Sequence, residues 1–313
     1  MNQEVVNVIL KSREDIWKNQ ELFGFVNDYF ENSLSTLDFC TALEGCIKRA
    51  LHSQSILQMA LVRFGQEHQE LSSSSSSSTS VRSEDAYEKT LEELRNFKNA
   101  GDPFTQEFFS TFQMVYAQQI SMLEKLQAKK MKLDKRLKSI KTWRRVSNVI
   151  FVVTIVGVIV ISVVAAAITA PPVVTALAAA ATVPLGSMGK WINFLWGKCE
   201  KEIRGQREII LNMQLGNYIL IKDMDSIRVL VDRLQIEIEA IMQNADFAMR
   251  GDEAVMIAVE EIRKNMDLFM NTIQDLSLNT DKCTRHIQRA KAVILRRIIN
   301  YPENSSRGGG MLF

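Results

Sequence analysis

The sequence predicts an all-α protein, a long antiparallel bundle of coiled-coil-like helices with a central hydrophobic, transmembrane helical hairpin. Only 5 Pro and 14 Gly interrupt its 313 residues, which favours long helices over a loop-rich fold. Apolar residues recur at alternating steps of three and four in several segments, the spacing of packed helices. Between Val146 and Gly189 there are 44 consecutive residues without Asp, Glu, Lys, Arg or His.

These features divide the chain into six segments. Ser35 or Thr36 is predicted to cap the first long helix, Asp102-Pro103 to restart helix, and Gly251-Asp252 to separate the last two helices. The predicted segments are N-terminal helices at 1–71, a polyserine linker at 72–82, helices at 83–145 that end in a basic stretch, the hydrophobic hairpin at 146–196, long helices at 197–300 and a disordered tail at 301–313.

The first arm of the hairpin is Asn148–Ala170, in which 14 of 23 residues are Val, Ile or Phe. A helix of this length spans roughly 34 Å, enough to cross a hydrocarbon layer of about 30 Å. The 14 apolar residues contribute at most roughly −4 to −8 kcal/mol to insertion. Pro171-Pro172 is predicted to end the arm, because proline lacks the backbone N–H that a helix needs.

The second arm, Val173–Trp196, is rich in alanine and is predicted to be broken by Pro184, Gly186 and Gly189. Three interpretations follow: a two-pass or re-entrant hairpin, a single span with an interfacial segment, or an apolar hairpin sheltered inside a soluble bundle. The residues predicted to insert into the membrane are Val149, Ile150, Phe151, Val152, Ile155, Val158, Ile161, Val164, Ile168, Trp191 and Trp196.

Basic residues flank the hairpin on both sides. From Glu124 to Arg145 there are ten Lys or Arg against two acidic residues, a local net charge of +8. Lys and Arg close to an apolar span stay on the cytosolic side and attract anionic lipid, so both termini are predicted to be cytosolic. The residues predicted to contact lipid headgroups are Lys138, Lys141, Arg144, Arg145, Lys190 and Lys198.

No pattern of catalytic or metal-binding residues occurs in the sequence. A glycine-rich phosphate loop, a GxSxG elbow and zinc-ligand spacing are all missing, so we expect no enzyme activity, no cofactor and no metal. The four cysteines are predicted to be buried thiols of a reducing compartment. The charge distribution and the lack of a recognition module argue against nucleic-acid binding.

The segment Tyr29–Glu44, the Asp102-Pro103-Phe104 restart and the Pro-Pro-broken hairpin together resemble the plant UPF0496 family, integrin-like transmembrane proteins that contain domain of unknown function 677. The resemblance covers most of the chain. It implies a plant membrane protein without established enzymatic activity, of a family proposed to couple the plasma membrane to cytoskeleton, cell wall or endocytic machinery. It implies no specific functional residues.

The sequence therefore predicts a non-enzymatic, membrane-anchored helical scaffold or adaptor. It would lie in the plasma membrane or an endomembrane, bind the anionic cytosolic leaflet and bind protein partners through its helical seams. The alternative is a membrane-remodelling or pore-forming protein, whose long helices shelter the hairpin in a soluble form.

Overall fold

The computed structural model describes residues 20–74, 86–168 and 171–299, and within these ranges it contains helices and no strand. The prediction of an all-α protein is confirmed. The helices are α1 (Gln20–Ser74), α2 (Glu88–Ala100), α3 (Gln106–Ile168), α4 (Pro171–Ala248) and α5 (Asp252–Ile299).

The long helices contribute to two compact units. The first, called here the bundle unit, comprises the described residues of Val26–Met122 and Gly216–Ala292. The second, called the hairpin unit, comprises the described residues of 20–25, Leu123–Leu215 and 293–299.

The apolar seams of α4 and α5 lie in the core of the bundle unit, together with buried residues of α1, α2 and α3. The two helices run antiparallel, as shown by contacts from α4 to α5 at Glu237–Thr272 and Asp223–His286. The α4 seam residues are at most 4% exposed; they are Leu220, Met224, Ile227, Val231, Leu234, Ile238, Ile241, Ala245 and Ala248. The α5 seam residues are at most 8% exposed; they are Val255, Val259, Ile262, Met266, Phe269, Ile273, Leu276, Cys283 and Ile287.

Helix α1 is longer than predicted. The sequence predicts a cap at Ser35 or Thr36, but both residues lie inside a continuous helix. Their hydroxyls donate to backbone carbonyls four residues earlier, at 3.3 Å for Ser35 and 2.9 Å for Thr36. A hydroxyl satisfied in this way does not cap a helix, so the helix continues through both positions.

The N-terminus of α2 is capped by a side chain from another helix. Glu67 of α1 is buried, and its carboxylate accepts hydrogen bonds from the backbone N–H groups of Lys89 at 2.9 Å and Thr90 at 3.2 Å. The Thr90 hydroxyl donates to the same carboxylate at 2.7 Å. These bonds satisfy N–H groups that the first turn of a helix leaves unpaired and fix α2 against α1.

The predicted break at Gly251-Asp252 is confirmed, and after Asp102-Pro103 the next helix begins at Gln106. Gly101 follows α2 at a φ of 69° and Gly251 follows α4 at a φ of 144°, conformations that favour glycine. Before α3, the Asp102 carboxylate accepts a hydrogen bond from the backbone N–H of Phe104 at 2.8 Å. The breaks predicted at Pro184, Gly186 and Gly189 are absent, because α4 runs as one helix from Pro171 to Ala248.

No helix among the described residues is long and apolar enough to cross a membrane. The described residues therefore do not support the predicted transmembrane hairpin. Most of its apolar side chains, from Val158 to Met188, lie outside the described part of the chain. The predicted tail at 301–313 and most of the predicted polyserine linker, residues 75–82, also lie outside it.

Candidate membrane-facing site

The candidate site lies in the hairpin unit, where the C-terminal part of α3 and the N-terminal part of α4 run antiparallel. Asp134 of α3 forms an ion pair with Arg207 of α4. Ten residues further along α3, Arg144 lies 3.5 Å from Glu200. These two pairs fix the register of the helices and bring residues 134–144 of α3 beside residues 200–207 of α4.

Glu200 offsets part of the positive charge between the helices. Arg204 donates a hydrogen bond to its carboxylate at 2.6 Å and thereby holds the pKa of Glu200 below its ordinary value. Lys141 and Arg144 lower this pKa further. Glu200 therefore stays ionised, and its single negative charge offsets part of the positive charge of Arg144 and Arg204.

The predicted headgroup residues form what we call the basic collar. Arg144 is half-buried because of its contact with Glu200, whereas the other five side chains are exposed. Exposed lysine and arginine attract anionic lipid at about 1 kcal/mol each near a negative leaflet. The basic collar consists of Lys138, Lys141, Arg144, Arg145, Lys190 and Lys198.

Large apolar side chains extend from the basic collar towards Pro171, and we call them the apolar rim. Trp143, Val153, Trp191 and Phe194 are between 58% and 67% exposed. A contiguous exposed apolar patch is typical of a binding surface for protein or membrane. The apolar rim consists of Trp143, Val149, Ile150, Val152, Val153, Val156, Trp191, Phe194 and Leu195.

Five residues of the predicted membrane-inserting set have described side chains. Val149, Ile150, Val152 and Trp191 are exposed, whereas Trp196 is half-buried. The predicted set lacks five exposed members of the apolar rim, and of these only Trp143 lies outside the two predicted arms; the five are Trp143, Val153, Val156, Phe194 and Leu195. The side chains of Phe151, Ile155, Val158, Ile161, Val164 and Ile168 lie outside the described residues.

The cysteines differ from the prediction in one case. Cys40, Cys46 and Cys283 are buried thiols of the bundle unit, but Cys199 in the hairpin unit is exposed. Helix α4 presents this position to solvent, which the sequence pattern did not reveal. In the described ranges, no group of three or more His, Cys, Asp or Glu side chains is arranged to hold a metal ion.

Comparison with known proteins identifies the family. Residues 1–298 match the family model described as "Protein of unknown function (DUF677)". The chain belongs to this family. Family members that resemble it include UPF0496 protein At2g18630 of Arabidopsis thaliana, which is 50% identical over 307 residues, or 98% of this chain and 75% of the relative.

A second plant relative is UPF0496 protein 1 of Oryza sativa subsp. japonica, which is 54% identical over 302 residues, or 96% of this chain and 78% of the relative. No solved structure matches the chain. The predicted resemblance to the plant UPF0496 family is therefore confirmed. The family description names no catalytic domain and no biochemical activity.

Proposed function

We propose that this family member is a non-enzymatic scaffold anchored in a membrane by the hairpin between α3 and α4. The observation that carries the proposal is the apolar rim directly beside the basic collar. Apolar side chains would enter the hydrocarbon layer, while the neighbouring lysines and arginines would contact anionic headgroups on the cytosolic side. Trp143 and Trp191 suit the boundary between these layers, where an aromatic ring is favoured.

The exposure of the apolar rim supports insertion of the hairpin into a membrane over its burial among other helices of the protein. Val149, Val153 and Val156 are each more than half exposed, so the helices in the described part of the chain leave them largely uncovered. A sheltered hairpin, as required by a soluble pore-forming protein, predicts burial at these positions. The membrane in question is the plasma membrane or an endomembrane, with both chain termini in the cytosol.

The bundle unit would supply the scaffold by binding partner helices. On α4, Val229 and Ile236 lie seven residues apart and are 65% and 68% exposed, the spacing of a helix-binding stripe. Partners that belong to the cytoskeleton or to trafficking machinery would thereby be linked to the membrane.

Carbonate extraction of membranes tests the anchor. The full-length chain is expected in the membrane pellet, and the double variant Val158→Arg/Ile161→Arg in the supernatant. Each arginine near the middle of a span costs about 2.5–3.5 kcal/mol, so two offset most of the insertion free energy of the arm. The matched control Val229→Arg/Ile236→Arg changes two exposed residues of the bundle unit and is expected to remain in the pellet.

Release of the unmodified protein by carbonate would contradict an integral anchor. A protein that is monodisperse without detergent and releases dye from liposomes would instead support the pore-forming alternative.

A further inference from the structure

The bundle unit contains a pocket that is independent of the membrane anchor. It has a volume of about 330 Å³, at the lower end of the range of small-molecule sites. Helix α3 contributes one wall and α4 the other. The pocket is lined by Phe108, Phe109, Phe112, Gln113, Tyr116, Arg228, Val231 and Asp232.

Four aromatic rings of α3, those of Phe108, Phe109, Phe112 and Tyr116, line this pocket. The rings of Phe108 and Phe109 are 5.4 Å apart at 77°, so they form a corner. The rings of Phe112 and Tyr116 are 5.9 Å apart and nearly parallel, at 23°. Ring planes of several orientations bound the pocket, as in sites that surround an alkylated ammonium group.

One carboxylate, that of Asp232, lines the pocket, and a second, that of Asp225, accepts a hydrogen bond from a lining residue. Tyr116 donates a hydrogen bond from its hydroxyl to Asp225 at 2.9 Å, and this bond raises the pKa of Tyr116, so the phenol stays neutral. Arg228 lies 3.9 Å from Asp232, too far for a hydrogen bond. Together, Asp232, Arg228 and the Tyr116 partner Asp225 carry a net charge of −1, which favours a cation over an anion.

The aromatic faces act in the same direction as the carboxylates. The face of a phenyl or phenol ring carries partial negative charge and attracts a cation within about 6 Å of its centre. Phe108 and Val231 are at most 5% exposed and supply an apolar floor for methyl groups. A ligand that combines positive charge with an apolar surface satisfies both parts of the pocket.

We propose that this pocket binds a small organic cation with an alkylated ammonium group. The aromatic rings of α3 surround the alkyl groups, and Asp225 and Asp232 supply the compensating charge. Alkylated ammonium groups occur in free metabolites and in lipid headgroups, and comparison of choline with glycerophosphocholine distinguishes these two sources.

Ligand-observed saturation-transfer NMR on the full-length chain in a maltoside detergent tests the proposal. The probes are choline, its uncharged isostere 3,3-dimethyl-1-butanol and the anion 3,3-dimethylbutanoate. Choline is expected to bind at least fivefold more tightly than the alcohol, the ratio for about 1 kcal/mol of cation–π attraction. The anion is expected to bind most weakly.

Two variants link binding to the pocket. Phe109→Leu removes an aromatic face but keeps an apolar side chain, and is expected to weaken choline binding about fivefold. Asp232→Asn removes one charge at an exposed position and is expected to weaken it about threefold, without a folding defect. The control Asp267→Asn changes an exposed carboxylate of α5 and leaves binding unchanged.

Glycerophosphocholine, the water-soluble headgroup of a choline lipid, identifies the source. Weaker binding than choline indicates a free ammonium compound, and equal or tighter binding indicates a lipid headgroup. The proposal is overturned if the alcohol or the anion binds as tightly as choline, if no probe binds saturably, or if Asp232→Asn and Phe109→Leu both leave choline binding unchanged. Because the pocket lies in the bundle unit, none of these outcomes depends on the membrane anchor.

Discussion

The seams of the bundle unit and the apolar rim of the hairpin unit use the same kinds of residue with opposite exposure. In the seams of α4 and α5, large apolar side chains such as Phe269 are fully buried. In the apolar rim, Phe194 is 67% exposed. Periodicity accounts for the difference: a seam places apolar residues on one face, whereas Val149, Ile150, Val152 and Val153 occupy several faces of α3. Apolar content thus indicates burial only when it recurs at helical spacing.

A pair of phenylalanine substitutions tests this contrast most strongly. Phe269→Ala opens a cavity in the bundle core and is expected to lower the free energy of unfolding by about 3–5 kcal/mol. Phe194→Ala removes an exposed side chain and is expected to change it by less than about 0.5 kcal/mol. Chemical denaturation of the full-length chain in mild detergent, followed by circular dichroism, measures both. Equal losses for the two variants would show that the rim is packed like the core.

A pair of glycine substitutions is expected to give a smaller difference in the free energy of unfolding between the two units. A Cβ added at Gly216 in the bundle unit would lie 2.5 Å from the Tyr29 hydroxyl oxygen and 3.0 Å from the Ala290 Cβ. Gly216→Ala is therefore expected to destabilise the protein by about 1–3 kcal/mol.

Gly197, in the hairpin unit, has no such neighbour within 4 Å. Gly197→Ala is expected to be neutral or to stabilise by up to about 1 kcal/mol, the helix-propensity gain of alanine. The same denaturation experiment measures this pair. A stabilising Gly216→Ala would mean that Tyr29 moves aside at little cost.

Substitution of one lysine in each unit is expected to have the smallest effect on the free energy of unfolding. Lys291 is 3% exposed, its ammonium lies 5.6 Å from the centre of the Phe30 ring, and burial lowers its pKa. The folded state therefore binds this proton less readily than the unfolded state, and stability rises with pH between the lowered pKa and the ordinary value of 10.5. Lys291→Met is expected to reduce the rise of stability with pH. At neutral pH it is expected to stabilise the protein by up to about 1 kcal/mol.

Lys138→Met, at an exposed position of the basic collar, serves as the control. It is expected to leave stability unchanged and to weaken binding to anionic liposomes by about 1 kcal/mol. Unfolding at pH 7.5 and pH 10, with a liposome flotation assay, separates the two lysines. An unchanged pH dependence in Lys291→Met would contradict the role of burial.

Features that depend on neighbouring residues could be predicted from the sequence. The seams of α4 and α5, the stops at Gly101 and Gly251, and the family resemblance were all readable from spacing and local motifs. The basic residues beside the hairpin are also visible in the sequence, and their contact with lipid headgroups stays a prediction. Each of these depends on helical periodicity or on backbone conformation, which a short segment of sequence determines.

Features that depend on distant residues were decided only by the tertiary structure. In the sequence, Leu126, Lys130 and Leu133 follow the four-three spacing of a packed face. The buried lysine is instead Lys129, 4% exposed, with its ammonium paired to Glu21 and 5.6 Å from the centre of the Phe25 ring. The aromatic pocket likewise joins residues of α3 to residues more than 100 positions later on α4.

The chain by itself therefore determined its helices, its seams and its charged flanks. The tertiary structure decided which side chains meet across those helices, such as the Glu67 cap of α2 and the contact of Tyr29 with Gly216. The physical reason is that helix formation depends on interactions within about four residues, whereas a contact between helices depends on their register and rotation.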